Sequence, residues 1–179
     1  MKSLKIVLLG SIPKGDEKRK NWVDWKVDYK SKIVELLPNA EVLDGDSISD
    51  NVGPDLVVGH DLWLVKQSNI VIVDGSKKIG AGTAQEMVIA KYFKKLVISV
   101  IPKESHHRKS NLIFHGIKIK EWIHPFLSVT SDYIADNIDD AINYIIELPK
   151  TKKVKGFDIF DKKISLYKKT LVQKGAKRF

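Results

Sequence analysis

Short apolar runs separated by stretches of helical period set the layout of this chain. Residues 4–9, apolar but for Lys5, end at Gly10 and predict a strand buried on both faces. Gly10-Ser-Ile-Pro-Lys-Gly15 reads as a loop. Trp22, Trp25, Tyr29, Ile33 and Leu36 then recur at helical spacing, and Pro38-Asn39 stops that helix. A short second strand is expected over residues 40–43. A helix over residues 55–67 leads directly into an apolar strand at 70–73. After a loop at 74–82, a helix is expected from residue 84 to 94, and residues 96–101 predict the next strand, closed by Pro102. Beyond that the pattern weakens. Residues 103–116 read as a polar loop, 117–122 as a short strand, and 132–148 as a helix with Ile134, Ile138, Ala141, Ile142 and Ile145 on one face.

Strands alternating with helices imply βα units, hence a doubly wound, mainly parallel α/β sheet with helices on both faces. Ligands bind such sheets beyond the carboxyl ends of the strands, which singles out residues 10–15, 44–49 and 74–86. Composition agrees with one globular domain plus an appendage: 43% of the 179 residues are hydrophobic and 30% charged. There is no cysteine, which excludes disulfides, thiolate metal sites and a Cys nucleophile. No apolar run is long enough to span a bilayer, and the first ten residues lack a signal-peptide cleavage pattern, so a cytoplasmic location is expected.

Charge changes the picture only once it is located. Residues 1–149 carry 20 basic and 20 acidic groups, and residues 150–179 carry 11 and 2, so the whole net charge of +9 belongs to the tail. The expected division is therefore an α/β domain over 1–149 and a basic amphipathic helical extension over 150–179. In the extension, Phe157, Phe160, Ile164, Tyr167 and Leu171 repeat at helical spacing, with Gly175 as a C-cap. Such a stripe is expected to pack on its own domain or on a second subunit. An anionic membrane or nucleic acid is the alternative for the tail.

The candidate chemistry lies between residues 61 and 90. Gly80-Ala-Gly-Thr-Ala-Gln-Glu86 follows a buried strand and opens a helix, where glycines permit close backbone approach to a ligand. Neither the dinucleotide-binding glycine spacing nor a Gly-Lys-Ser/Thr is present. Glu86 has two readings. Thr83-Ala-Gln-Glu86 spells a capping box, with Glu86 reaching back to the Thr83 N–H. Alternatively Asp61, Asp74 and Glu86 converge near one rim, and paired carboxylates are what glycosyl chemistry uses. His60 precedes Asp61 and reads first as a surface residue of the helix start, with orienting Asp61 as the alternative. His106, His107 and His115 lack a metal-ligand spacing and read as a polar surface loop, so no metal is expected.

The run His60-Asp-Leu-Trp-Leu-Val-Lys-Gln-Ser-Asn-Ile-Val-Ile-Val-Asp74, followed by residues 80–86 and Ala90, resembles the nucleoside 2-deoxyribosyltransferase superfamily. That group includes the 2′-deoxynucleoside 5′-phosphate N-hydrolases, whose first substrate loop Gly10-Ser11-Ile12 resembles. The resemblance spans residues 4–102. It implies a flavodoxin-like fold and cleavage of an N-glycosidic bond, with Glu86 as nucleophile and Asp61 beside the leaving base. Gly10, Ser11, Ile12, Asp74, Gly82 and Thr83 would contact the substrate. Transfer of 2-deoxyribose to a second base is the first expectation, and water as acceptor, acting on a 5′-monophosphate, is the alternative. Lys14, Lys77 and Lys78 are suited to such a phosphate. An alternative of another class is a catalytically weak nucleotide-binding module whose basic tail engages a partner or nucleic acid. A third is action on another ribosyl compound, such as an NAD-type glycosidic bond.

The expected partners are a small nucleoside or nucleotide and further copies of the chain, with no cofactor, no membrane, and nucleic acid only through the tail. Two positions depart from the family. Its first strand commonly carries a Tyr that contacts the nucleophile. Residues 5–9 have none, which leaves Tyr29 or Tyr92 as substitutes, and Met87-Val88 replaces the Gly-Leu or Gly-Tyr pair often found after the nucleophile.

Overall fold

A computed structural model describes residues 3–43, 45, 47, 50–149 and 151–172. The chain begins with β1 (Leu4–Leu9), a single turn α1 (Asp16–Arg19), α2 (Trp25–Leu36) and β2 (Ala40–Leu43). Then come α3 (Pro54–Gln67), β3 (Ile70–Asp74), α4 (Ala81–Tyr92) and β4 (Leu96–Val100). A hairpin of β5 (Arg108–Phe114) and β6 (Ile117–Ile123) precedes α5 (Pro125–Thr130), β7 (Tyr133–Ala135), α6 (Ile138–Ile146) and α7 (Ile159–Tyr167).

Five strands form one parallel sheet in the order β2-β1-β3-β4-β7, the flavodoxin-like order that the doubly wound pattern implies. Side-chain alternation explains why β1, β3 and β4 read as continuous apolar runs. Ile6, Leu8, Ile70, Ile72 and Ile98 point to one face, against Tyr29 and Ile33 of α2 and Ile138 and Ile142 of α6. Val7, Leu9, Val71, Val73 and Val97 point to the other, against Leu64 and Val65 of α3 and Met87 and Ala90 of α4. Both faces are thus covered. Strand order reverses at β1, whose neighbours β2 and β3 lead in opposite directions, and a crevice opens there beyond the carboxyl ends.

Three expectations need correction. Residues 133–135 are not the start of a helix but the edge strand β7, with Tyr133 opposite Ile98. The Asn137 side chain accepts from the Asp140 N–H at 2.9 Å and starts α6 only at Ile138. Ile134 accordingly packs on the α3–α4 side of the sheet, while Ile138 and Ile142 pack on the other. The supposed loop before residue 116 contains β5, which pairs antiparallel with β6. Their turn, His115-Gly116, has φ of 49° and 78°, the two left-handed residues of a tight hairpin, in an uncommon His-Gly spelling. Finally, the tail stripe meets its own domain only at its start, where Phe157 lies against Tyr92, and α7 buries none of its residues.

A buried ion pair ties α4 to the root of the tail. The Lys91 ammonium, wholly inaccessible, donates to the Asp132 carboxylate and to the Lys95 carbonyl at 3.1 Å. Asp132 also accepts from the backbone N–H groups of Val97 and Lys155, each at 2.8 Å. Within the stretch 44–49, Asp44, Asp46, Ile48 and Ser49 lie outside the described residues, as does Gly175 with the rest of 173–179. Among the described residues no helix is long and apolar enough to cross a membrane.

Candidate active site

β1 ends at Leu9, and the backbone of the following Gly10 runs tightly against α2. A Cβ on Gly10 would lie 2.5 Å from Cζ2 of Trp25 and 3.1 Å from Cβ of Asp74. The Trp25 indole N–H donates to the Ser11 carbonyl at 3.2 Å, so the ring both fills that space and holds the loop. Gly10→Ala is therefore expected to cost about 1–3 kcal/mol by overpacking and to displace the loop. Gly82, in the first turn of α4, has open space where its Cβ would be. Gly82→Ala is expected to keep or raise the denaturant midpoint, since alanine is favoured over glycine in a helix by up to about 1 kcal/mol. Urea titrations of the two variants check the contrast.

The loop and the start of α4 enclose a cavity of about 370 Å³. Gly10, Ser11 and Ile12 line one side, and Gly82, Thr83 and Glu86 another. Asp61 of α3 and Lys14 add charged groups to the wall. Seven of the eight residues given a catalytic or substrate-contacting role by the resemblance thus share one cavity, while Lys77 and Lys78, suited to a phosphate, are not among its lining residues. Asp74 is the exception. Its buried carboxylate accepts from the Tyr29 hydroxyl at 3.1 Å and from the Ser76 N–H and hydroxyl at 3.2 and 2.9 Å. It pins the loop after β3 and is not among the lining residues.

The capping-box reading of Glu86 does not hold. α4 starts at Ala81 with Gly80 as N-cap and no side-chain cap, so Thr83 is already the third helical residue. The Thr83 hydroxyl instead donates to the Gly10 carbonyl at 3.2 Å, stitching the glycine loop to the end of β1. Thr83, Met87 and Ala90 form the buried stripe of α4, and Glu86 stands beside it, half-buried, at the cavity wall. The first turn of α4 lines the same wall, and its leading N–H groups have no acceptor within the helix.

Burial, then the negative charge of Asp61, push the Glu86 carboxyl from its ordinary 4.5 up to about 7, while Lys14 draws it back. Asp61 is oriented through a relay, with His60 Nδ1 3.3 Å from its Oδ1 and His60 Nε2 2.8 Å from the Ser47 hydroxyl. His60 is thus no surface bystander. Tyr29 is committed to Asp74, and burial with that charge holds its phenol far above the ordinary range. Tyr92 is the last residue of α4, mostly exposed, against Phe93 and Phe157. Neither takes the place of a first-strand tyrosine at Glu86; the nearby group of opposite charge is Lys14.

Two further residues shape the site without having been foreseen. Lys26, in the first turn of α2, is 5% exposed and lines the cavity, with Asp24 at 3.8 Å. A lysine near a helix start reads as solvated, and nothing local marks it as buried. His107 is buried, and its Nε2 accepts the Ile79 N–H at 2.9 Å. Burial keeps this imidazole below its usual pKa, hence neutral and able to accept. It secures the loop that leads into α4, which corrects its assignment to a polar surface loop.

No family model matches the chain, and no curated protein does. Among solved structures, a 2-desoxiribosyltransferase from Leishmania mexicana is 17% identical, with 81% of this chain and 98% of that one covered at a TM-score of 0.51. A Clostridium botulinum CMP N-glycosidase, BcmB, is 16% identical over 79% of this chain and 97% of that one, at a TM-score of 0.44. At this identity the first likeness is one of fold, and it agrees with the strand order above.

Proposed function

We propose that this chain belongs with the nucleoside 2-deoxyribosyltransferase superfamily. On this reading it cleaves the N-glycosidic bond of a nucleoside or nucleotide and transfers the 2-deoxyribosyl group to another base. The observation that carries the proposal is the pairing of Glu86 with Asp61 across one cavity at the switch point of the sheet, close enough to interact electrostatically. The motif resemblance and the fold shared with a 2-desoxiribosyltransferase support it.

The chemistry follows from the two carboxyls. Ionised Glu86 attacks the anomeric carbon as the bond to the base nitrogen breaks, and Asp61 supplies or steadies the proton on the departing base. Positive charge developing on the sugar is what a buried carboxylate stabilises best, so the repulsion that raises the Glu86 pKa is relieved in the transition state. A second base, or water, then attacks the same carbon from the vacated side, and the carboxylate is restored with overall retention. Lys14 and Lys26 in the wall suit a substrate carrying a 5′-phosphate, which makes hydrolysis of a monophosphate the second form of the proposal.

A raised pKa also suits a general acid, so an exchange of roles, with Asp61 attacking and Glu86 protonating, is the competing reading. The pH profile separates them. With Glu86 as nucleophile, kcat/KM rises through about pH 7 as it ionises; with Glu86 as acid, it falls there. Asp61→Asn is expected to lower base release by roughly 10²–10⁴-fold. It also moves the rising limb to lower pH, because the charge that raises Glu86 is gone. Deoxynucleosides and their 5′-monophosphates, each with and without a free base, test the reaction itself by chromatography. Base exchange supports transfer, and release from monophosphates alone supports hydrolysis. Silence on all of them contradicts the proposal.

A further inference from the structure

The C-terminal segment carries chemistry that the cavity does not use. Its root is fastened to the domain: Val154 packs against the core, the Lys155 N–H donates to Asp132, and the Lys155 ammonium reaches the Ser131 carbonyl. Phe157 meets the ring of Tyr92 edge-on at 6.2 Å and that of Phe160 at 5.2 Å. Beyond this root the helix runs clear of the protein. Every residue from 161 to 171 is exposed, through α7 and the wider π-helical turn Lys168–Val172 that continues it.

Phe160, Ile164, Tyr167 and Leu171 follow at steps of four, three and four, which puts them on one helical face. Ile164, Tyr167 and Leu171 are 52%, 58% and 42% exposed, a poor arrangement in water. At 3.6 residues per turn, Lys163 and Lys168 fall on the two margins of this face and Lys162 and Lys169 behind it. Against these lysines the helix has only Asp158 and Asp161, and Asp158 is paired with Lys162 at 2.5 Å.

We propose that this helix attaches the protein to an anionic lipid surface. It lies in the plane of the headgroups, with Ile164, Tyr167 and Leu171 towards the acyl chains and the lysines among the lipid anions. Charge complementarity selects the partner. Residues 150–179 hold 11 basic and 2 acidic groups, whereas 1–149 hold 20 of each, so a second copy offers no acidic surplus to meet them. Nucleic acid would satisfy the lysines but leave Ile164, Tyr167 and Leu171 facing phosphate and water. A headgroup boundary is apolar below and anionic above, and it matches both margins and centre of the face.

The test uses the full chain, sedimented with vesicles of phosphatidylcholine alone or with added phosphatidylserine. Binding is expected only to the anionic vesicles, and it weakens as added salt screens the charges. Ile164→Glu with Leu171→Glu is expected to weaken it by about tenfold or more. Lys163→Gln with Lys168→Gln weakens it by a similar factor, since each lysine contributes about fivefold. These positions are exposed, so both double variants keep the parent's circular dichroism and base-release activity. Failure of the parent protein to bind anionic vesicles overturns the proposal, as does binding that neither double variant changes. It is equally overturned if the lysines govern binding to single-stranded RNA but not to vesicles, or if the apolar variant only lowers the mass in solution.

Discussion

Glu86→Gln is expected to abolish turnover, by about 10⁴-fold or more in kcat/KM, and at the same time to stabilise the fold above neutral pH. The first effect follows from removing the group proposed to attack the anomeric carbon. The second follows from the cost of charging a half-buried carboxyl beside Asp61. The folded state holds the Glu86 proton up to about pH 7, and an ordinary carboxyl releases it near 4.5. Between those values the folded state binds more protons than the unfolded one, so this group's contribution to stability falls as pH rises through the window. The full shift corresponds to about 3 kcal/mol, and screening at a partly open site reduces it to roughly 1–2 kcal/mol. Glutamine, neutral at every pH, escapes the penalty. Urea unfolding at pH 8 should show the variant more stable than its parent, and the difference should vanish below pH 4.5. A parent and variant of equal stability at pH 8 would mean that Glu86 is not strained by its setting.

The second large effect lies in the scaffold. Asp132→Asn strips the counter-charge from Lys91, whose ammonium is wholly enclosed, and is expected to cost about 3–5 kcal/mol. Burial already holds Lys91 below its ordinary 10.5, and the Asp132 contact is what opposes that fall. Without it, the folded state keeps its proton less well than the unfolded one, so the variant regains stability as pH rises towards 10.5. Val97 and Lys155 donate to different oxygens of Asp132, and asparagine keeps only one, so the loss is of the charge together with one of these two hydrogen bonds. Adding Lys91→Met to Asp132→Asn removes both charges and should recover much of the deficit. Because Lys91 belongs to the helix that carries Glu86, the single variant is also expected to lose activity at temperatures where the parent is folded.

How far the sequence speaks depends on what each residue faces. Val71 and Ile72 lie on opposite faces of β3 and are both buried, so their strand shows as an unbroken apolar run whatever the context. β7 hides because three residues at a sheet edge cannot be told from a helix start until the Asn137 cap is seen. β5 and β6 form a separate two-stranded sheet, half exposed, and show no clean alternation. At the site, the family resemblance and the rule that ligands bind beyond the strand ends point to Gly10, Asp61 and Glu86, which line one cavity. Local grammar misled at Thr83, where an apparent cap residue serves a contact 73 positions away. Lys26 and His107 depend on tertiary burial alone, which no local pattern reports.

The central claim is a covalent bond to Glu86, and mass spectrometry tests it most directly. The protein is mixed with a deoxynucleoside or its 5′-monophosphate, quenched in acid during turnover, digested and mapped. The account predicts that the peptide containing Glu86 gains the mass of one deoxyribosyl group, with or without phosphate, and that Glu86→Gln gains none. A sugar found on Asp61, or steady base release by Glu86→Gln, would contradict it.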